Sequence, residues 1–329
     1  MNKIFTAILL LSISLSWVSC EKGVQINDDY QNITIVYGLI DPLDSLSYIR
    51  IEKAFLTDGD IFQAAQVPDS NSYPYKLDVK MTSETTGHII NFDTLTIFNK
   101  DDGIFYAPKM MVYSAVTKNL LNTEDTYDLE IHNPKTGEII TSKSKLIDGS
   151  GIRFKNNYPN NSAWFHKDKS VKFNPITDAR IYQLNIRFHY TEGLVNNGDT
   201  TFSSHYVDWV FPSVYRSQNQ EGNEIEVKII GDEFYANLVN NIPYKENVFR
   251  YDGPVDFIVS VADNTFNTYM EVNKPSSSLV VDRPEYTNIN NGYGLFASRS
   301  RGGGTYPLHD LSVIKLRSYE SLNFVQRAH

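Results

Sequence analysis

A chain of 329 residues with 30 basic and 39 acidic side chains carries a formal charge of −9 and one cysteine. Its lysines and arginines are spread out, which excludes a nucleic-acid partner, because phosphate binding needs concentrated cationic side chains. A lone cysteine excludes an intrachain disulfide and a cysteine-built zinc site, while 21 Tyr and 18 Phe favour pleated, half-buried surfaces.

The first element is an apolar run, Ile4 to Val18, preceded by the basic Lys3 and closed by Ser19-Cys20. It is shorter than the ~20 apolar residues of a spanning helix and is broken by Ser12, Ser14 and Ser16. The order basic start, apolar core, small residue, cysteine predicts a secretory signal over residues 1–19 that ends in a lipobox. Trp17 departs from the usual Leu at its position. Cys20 is then the lipidation site, and acyl chains there hold the protein to a membrane at about 0.8 kcal/mol per buried CH₂. Without Lys3 the mature chain has 29 basic residues against 39 acidic, a charge of −10.

Residues 20–30 read as a polar tether. Alternation then begins, with Ile33, Ile35, Tyr37 and Leu39 on one phase of a strand that Asp41-Pro42 ends. Further strands are predicted near Tyr48–Ala54, Leu77–Met81, Ile104–Tyr106 and Met111–Val116. One helical turn is predicted at Ile61–Gln66, after a turn at Asp58-Gly59-Asp60. Tyr127, Leu129 and Ile131 lead into Asn133-Pro134-Lys135-Thr136-Gly137, whose turn residues predict a hairpin returning over Glu138–Leu146. Short strands at this spacing predict an immunoglobulin-like β-sandwich over residues 31–148. Asp148-Gly149-Ser150-Gly151 reads as a flexible joint.

Residues 152–329 predict a second antiparallel β domain with short helical insertions. Trp164–Phe173 is its first expected strand. Tyr182, Leu184, Ile186, Phe188 and Tyr190 alternate without a break, which is the clearest strand in the chain. Val207, Trp209 and Phe211, then Ile225, Val227 and Ile229, then Val255 to Val261 predict three more. Apolar spacing of four predicts a helix over Asp232–Asn241, and Phe266, Tyr269 and Met270 another, capped by Asp263. A late strand begins at Tyr293, and Leu311–Leu316 is expected as the last.

The lipobox, Val36-Tyr37-Gly38-Leu39, Tyr48-Ile49-Arg50-Ile51 and Asn290-Asn291-Gly292-Tyr293-Gly294-Leu295-Phe296 resemble exported lipoproteins of unknown function from Bacteroidota. That resemblance implies an immunoglobulin-like first half, an outer-membrane address, and genes near TonB-dependent receptors. It implies no catalytic residue. The acidic or mixed-charge run that surface export favours after the cysteine is weak here, so the periplasmic and surface faces both stay open.

Arg299-Ser300-Arg301-Gly302-Gly303-Gly304 is the one stretch that suggests a contact site. It lacks the Gly-Lys-Ser/Thr of a phosphate loop, and it is expected as an exposed, mobile loop whose Arg299 and Arg301 meet an acidic partner. The seven histidines have no metal-ligand spacing; His189 and His205 are read on the polar phases of their strands. Asp58 and Asp60 lack the remaining ligands of a calcium loop, so no metal and no cofactor is expected. No Gly-x-Ser-x-Gly elbow is present. The expected role is a lipid-anchored outer-membrane binding or accessory protein with an outer-membrane protein partner. The alternative is a carbohydrate-active enzyme on a β-sandwich, which needs two facing carboxylates.

Overall fold

The computed structural model describes residues 33–54, 60–98, 101, 103, 105–107, 109–154, 161–215, 224–274 and 285–327. Cys20, the signal and the tether lie outside the described residues, as do Asp58 and Gly59. The fold is mainly β with few helices, and no described helix is long and apolar enough to cross a membrane.

The first half contains β1 (Thr34–Ile40), β2 (Leu46–Lys53), α1 (Ile61–Ala65), α2 (Pro68–Asn71), β3 (Asp78–Ser83), β4 (Ile89–Ile97), β5 (Met110–Val116), β6 (Thr126–His132) and β7 (Ile139–Lys145). Alternation buries Val36, Ile49, Ile51, Met81, Leu129 and Ile131 in one core. β4 serves two layers, pairing β3 through Ile89–Phe92 and β5 through Asp93–Ile97. Asp60 caps α1 by accepting from Phe62 N, which satisfies an orphan donor of the first turn. Where a strand was expected at Ile104–Tyr106, Phe105 and Tyr106 lie in none; Tyr106 N donates to Ala65 O instead.

The second half contains β8 (Lys169–Phe173), β9 (Ala179–Asn196), β10 (Asp199–Val210), β11 (Val214–Tyr215), β12 (Ile225–Ile229), α3 (Gly231–Asn241), β13 (Val248–Asp263), α4 (Asn264–Val272), β14 (Tyr293–Tyr306) and α5 (Asp310–Arg317). Both predicted helices form, and Asp263 caps α4 by accepting from Phe266 N. The expected strand at Leu311–Leu316 is helix α5. His309 caps it, Asp310 lies in its first turn, and Lys315 and Arg317 lie in its last, an arrangement that complements the helix dipole. Of the strand expected over Trp164–Phe173, only Lys169–Phe173 forms.

The two halves share a sheet of order β10-β9-β13-β14-β1-β2-β5-β4-β3-β6-β7. β14 joins them. Tyr293 to Ser298 run parallel to β1, and Arg299 to Tyr306 run antiparallel to β13. The sheet is therefore mixed. Three of the stretches that carried the family resemblance lie side by side, on β2, β1 and the start of β14.

Two expectations are corrected at β14. The segment 298–306 is no loop but the second half of the strand. Its glycines let backbones meet: a Cβ on Gly302 would lie 1.9 Å from Gly149 O, and one on Gly303, at φ +141°, would lie 1.8 Å from Phe257 O. Asp148–Gly151 is no free joint either. Gly149 N donates to Ser300 Oγ and Ile147 N to Ser298 Oγ, so this turn is docked on β14. The apolar core does divide here, between Leu146 and Ile147, but Ile289 and Phe296 return to the first cluster.

Candidate functional site

One face of β9, β10, β13 and β14 covers the core; the other is open among the described residues. On β9, Tyr182, Leu184, Ile186, Phe188 and Tyr190 point inward, which leaves Gln183, Asn185, Arg187 and His189 outward. Register brings Asp208 of β10 and Asp256 of β13 to either side of Arg187, and Thr305 of β14 beside Asp256.

Arg187 grips Asp208 with Nε at 2.8 Å and Nη2 at 2.9 Å, and Asn185 Nδ2 donates to the same carboxylate at 3.1 Å. His189 Nε2 lies 2.6 Å from Asp256 Oδ2, and Thr305 Oγ1 donates to Asp256 Oδ1 at 2.6 Å. Tyr206 covers the Arg187 guanidinium at 4.0 Å. The Arg187 hydrogen bond holds the Asp208 carboxyl below the usual carboxylate range. For Asp256, burial pushes upward, but bonds from Thr305 and His189 outweigh it and the carboxyl is also held low. The Asn185 Oδ1 has no partner among the described residues although the atom is buried.

Toward β14 the face deepens into a trough of about 560 Å³ over Asn185, Arg187, Asp256, Ile258, Gly303 and Thr305. Beyond it lies a cavity of about 300 Å³ where the end of β1 meets α4, lined by Asp41, Gln183, Ser260, Phe266, Arg299 and Arg301. Burial pushes the Asp41 carboxyl up. Arg299 and Arg301 share one carboxylate, Asp44, at 3.6 and 2.6 Å. At the opposite end the face is aromatic: Phe249 lies over Gly193, Phe202 meets Phe249 edge-on, and Tyr251 stacks beside Phe202.

Sequence reading therefore found Arg299 and Arg301 but placed them on a loop. All three glycines line the trough; Gly302 and Gly303 also allow close backbone approach, to Gly149 and Phe257. Arg187, Asp208, Asp256 and Asn185 were missed. Alternation on β9 marks the outward residues, but nothing local tells which β10 and β13 residues stand opposite. His205 is corrected: it shares the core-side phase of Val207 and Trp209, and its ring stacks on Tyr190 at 5.3 Å.

Two of the seven histidines meet in the fold. His166 and His309 meet with ring centroids 5.4 Å apart, both against Trp164, with Lys167 and Lys169 over the indole. Burial and the neighbouring His309 and Lys167 push His166 below the usual histidine range. His309 Nδ1 accepts from Leu311 N as the cap of α5. Among the described residues no three His, Cys, Asp or Glu side chains come together as metal ligands.

The open face offers donors and acceptors along a polar trough. The Thr305 hydroxyl bonds the Asp256 carboxylate rather than the imidazole, so His189 does not activate it. Asp208 and Asp256 are held ionised, so neither is a ready proton donor. No protein-family model matches this sequence, and no curated protein does.

Proposed function

We propose that this chain is a lipid-anchored binding protein of the outer membrane, tethered through acylated Cys20, whose open β9–β10–β13–β14 face engages an outer-membrane protein such as a TonB-dependent receptor. The observation that carries the binding role is the polar trough leading into the cavity at Arg299 and Arg301. Two guanidinium groups there share one carboxylate, which leaves cationic donors for an acidic partner group. The anchor rests on the residues around Cys20.

Ser260 lines both the trough and the cavity, so Ser260→Arg would fill the site without touching the core. That variant should melt like wild type and lose capture of the partner recovered by wild type from outer-membrane extracts. Equal capture by both proteins would remove the face from the reading. Fatty-acid labelling tests the anchor separately and should vanish in Cys20→Ser.

The exposed aromatics Phe202 and Tyr206 favour a second reading, a carbohydrate-active enzyme, since sugar rings stack on such surfaces. Against it stand the two ionised carboxylates, because glycoside cleavage needs one protonated acid. Turnover on a glycan panel, abolished by Asp256→Asn, would favour the enzyme.

A further inference from the structure

The shared sheet has two edges, and they are treated differently. At one edge β7 is short and carries Lys143 and Lys145. The segment 288–291 covers it: Thr141 N donates to Asn290 O, Asn290 N donates to Thr141 O, and Asn291 Nδ2 donates to Ile139 O. Charged edges and covering segments are the usual guards against strand addition. At the other edge β10 has 12 residues with no Lys, Arg or Pro.

The direction of its backbone groups follows from register. β9 and β10 pair continuously from Asp199 to Val210, and Phe211 N donates to Leu184 O in the same register. Bonded and non-bonded pairs alternate along an antiparallel ladder. Odd-numbered residues of β10 therefore bond to β9, and Thr200, Phe202, Ser204, Tyr206 and Asp208 turn their N–H and C=O groups outward. Asn237 of α3 confirms the direction by donating to Asp208 O, which ends the free edge there. Among the described residues no strand pairs with the edge from Thr200 to Tyr206.

We infer that this edge pairs with the same edge of a second copy of the chain, antiparallel about a twofold axis at Ser204. The aromatic pairs set the register, and the cap at Asp208 limits its length. With Ser204 opposite Ser204 of the second copy, Phe202 stands opposite Tyr206 of the second copy, and pairing ends where Thr200 falls opposite the capped Asp208 of the second copy. Each of these pairs exchanges two backbone bonds. Phe202 and Tyr206, 60% and 56% exposed, meet on the open face as an aromatic cross-strand pair on each side of the axis. Charge favours the same place: two mature copies at −10 each repel, and Phe202 to Tyr206 contains no Asp or Glu. The inference does not depend on the proposed function.

The test is the mass of the full chain in mild detergent by sedimentation over a range of dilutions. Wild type should run as a dimer that dissociates on dilution. Ser204→Lys places like charges on the axis and should raise the dissociation constant about tenfold or more. Ser204→Pro removes an outward N–H without breaking a bond to β9 and should give a monomer with an unchanged melting temperature. If proline disturbs folding, the lysine variant decides. A monomeric wild type, or an unchanged dimer in a folded lysine variant, overturns the inference. So does a monomer whose edge variants lose a different envelope protein, because the edge then serves another chain.

Discussion

The two faces of β9 and β13 carry the same ion-pair chemistry in opposite settings. On the inner face Arg250 is fully buried. It donates to Glu192 Oε2 through Nε and Nη2, and to the carbonyls of Leu322 and Pro243. Lys245 closes on Glu192 Oε1 at 2.7 Å. On the outer face Arg187 and Asp208 are each about one-third exposed, and Arg301 is 56% and Asp44 28% exposed. A buried charge leaves no room for a ligand and fixes the chain around it. The outer pairs sit where a ligand could exchange with them.

The largest effect tests the inner face. Arg250→Met should lower stability by about 3–5 kcal/mol in urea unfolding, because Glu192 then remains buried with part of its compensation gone. Loosening of the C-terminal segment at Leu322 should follow, since Arg250 Nη1 donates to Leu322 O, while the backbone bond from residue 250 N to Asn323 O is kept. A cost no larger than that of an outer-face variant would erase the distinction between the faces.

Next in size is the strand that joins both halves. Gly303→Ala forces a side chain into a positive φ and against Phe257 O, and should cost about 1–3 kcal/mol. Gly87→Ala, a turn glycine with open space around its Cβ position, pays only the φ penalty and should cost less by thermal melting. Equal costs would mean that the close approach across β13 and β14 is not what requires glycine.

Acid sharpens the same comparison. Burial pushes Glu192 upward, but hydrogen bonds from Lys245 and Arg250 outweigh it and hold the carboxyl below the ordinary glutamate value of 4.5. A depressed carboxyl gives stability that is present above pH 4.5 and lost as pH falls through the folded value. The stability of wild type should therefore drop below pH 4.5. Glu192→Gln should flatten that drop more than Asp208→Asn, whose carboxyl is also held low but is better solvated. The reverse ranking in acid titrations of stability would contradict the assignment.

How much of this was legible in the sequence follows from the range of the interactions. Period-two alternation marked Tyr182–Tyr190, the middle half of β9, and the Asp263 cap with Phe266 three residues on wrote α4. Both are local. Asn197 and Gly198, each at positive φ, form the two-residue turn that closes β9 onto β10, and Asn-Gly is a strong hairpin signal that the sequence reading passed over. Gly302 and Gly303 of β14 misled because their cause is distant: the carbonyls of Gly149 and Phe257 approach from elsewhere in the chain. Leu311–Leu316 misled because Leu311 and Val313, two apart, fit a strand, whereas the buried Val313 and Leu316, three apart, lie on one face of a short helix. The outer face needed the register of β9 against β10 and β13, which no single strand encodes.

The smallest stability effect belongs to the two arginines at the cavity. Arg299 and Arg301 are half exposed and share Asp44, and such exposed pairs contribute at most about 1 kcal/mol. Replacing both with Ala should leave the urea midpoint nearly unchanged, although β14 runs through the centre of the sheet, because its backbone pairing with β13 does not use these side chains. Binding should respond differently. Removing two cations from the cavity rim leaves Asp41 and Asp44 facing an acidic partner, so capture should weaken, and the loss should be greatest at low salt, where screening is least. Small stability change with large binding change is the signature of an outer-face pair; Arg250 should show the opposite. If the double variant instead unfolds well before wild type, the arginines belong with Arg250 as structural pairs, and the cavity has no claim as the binding site.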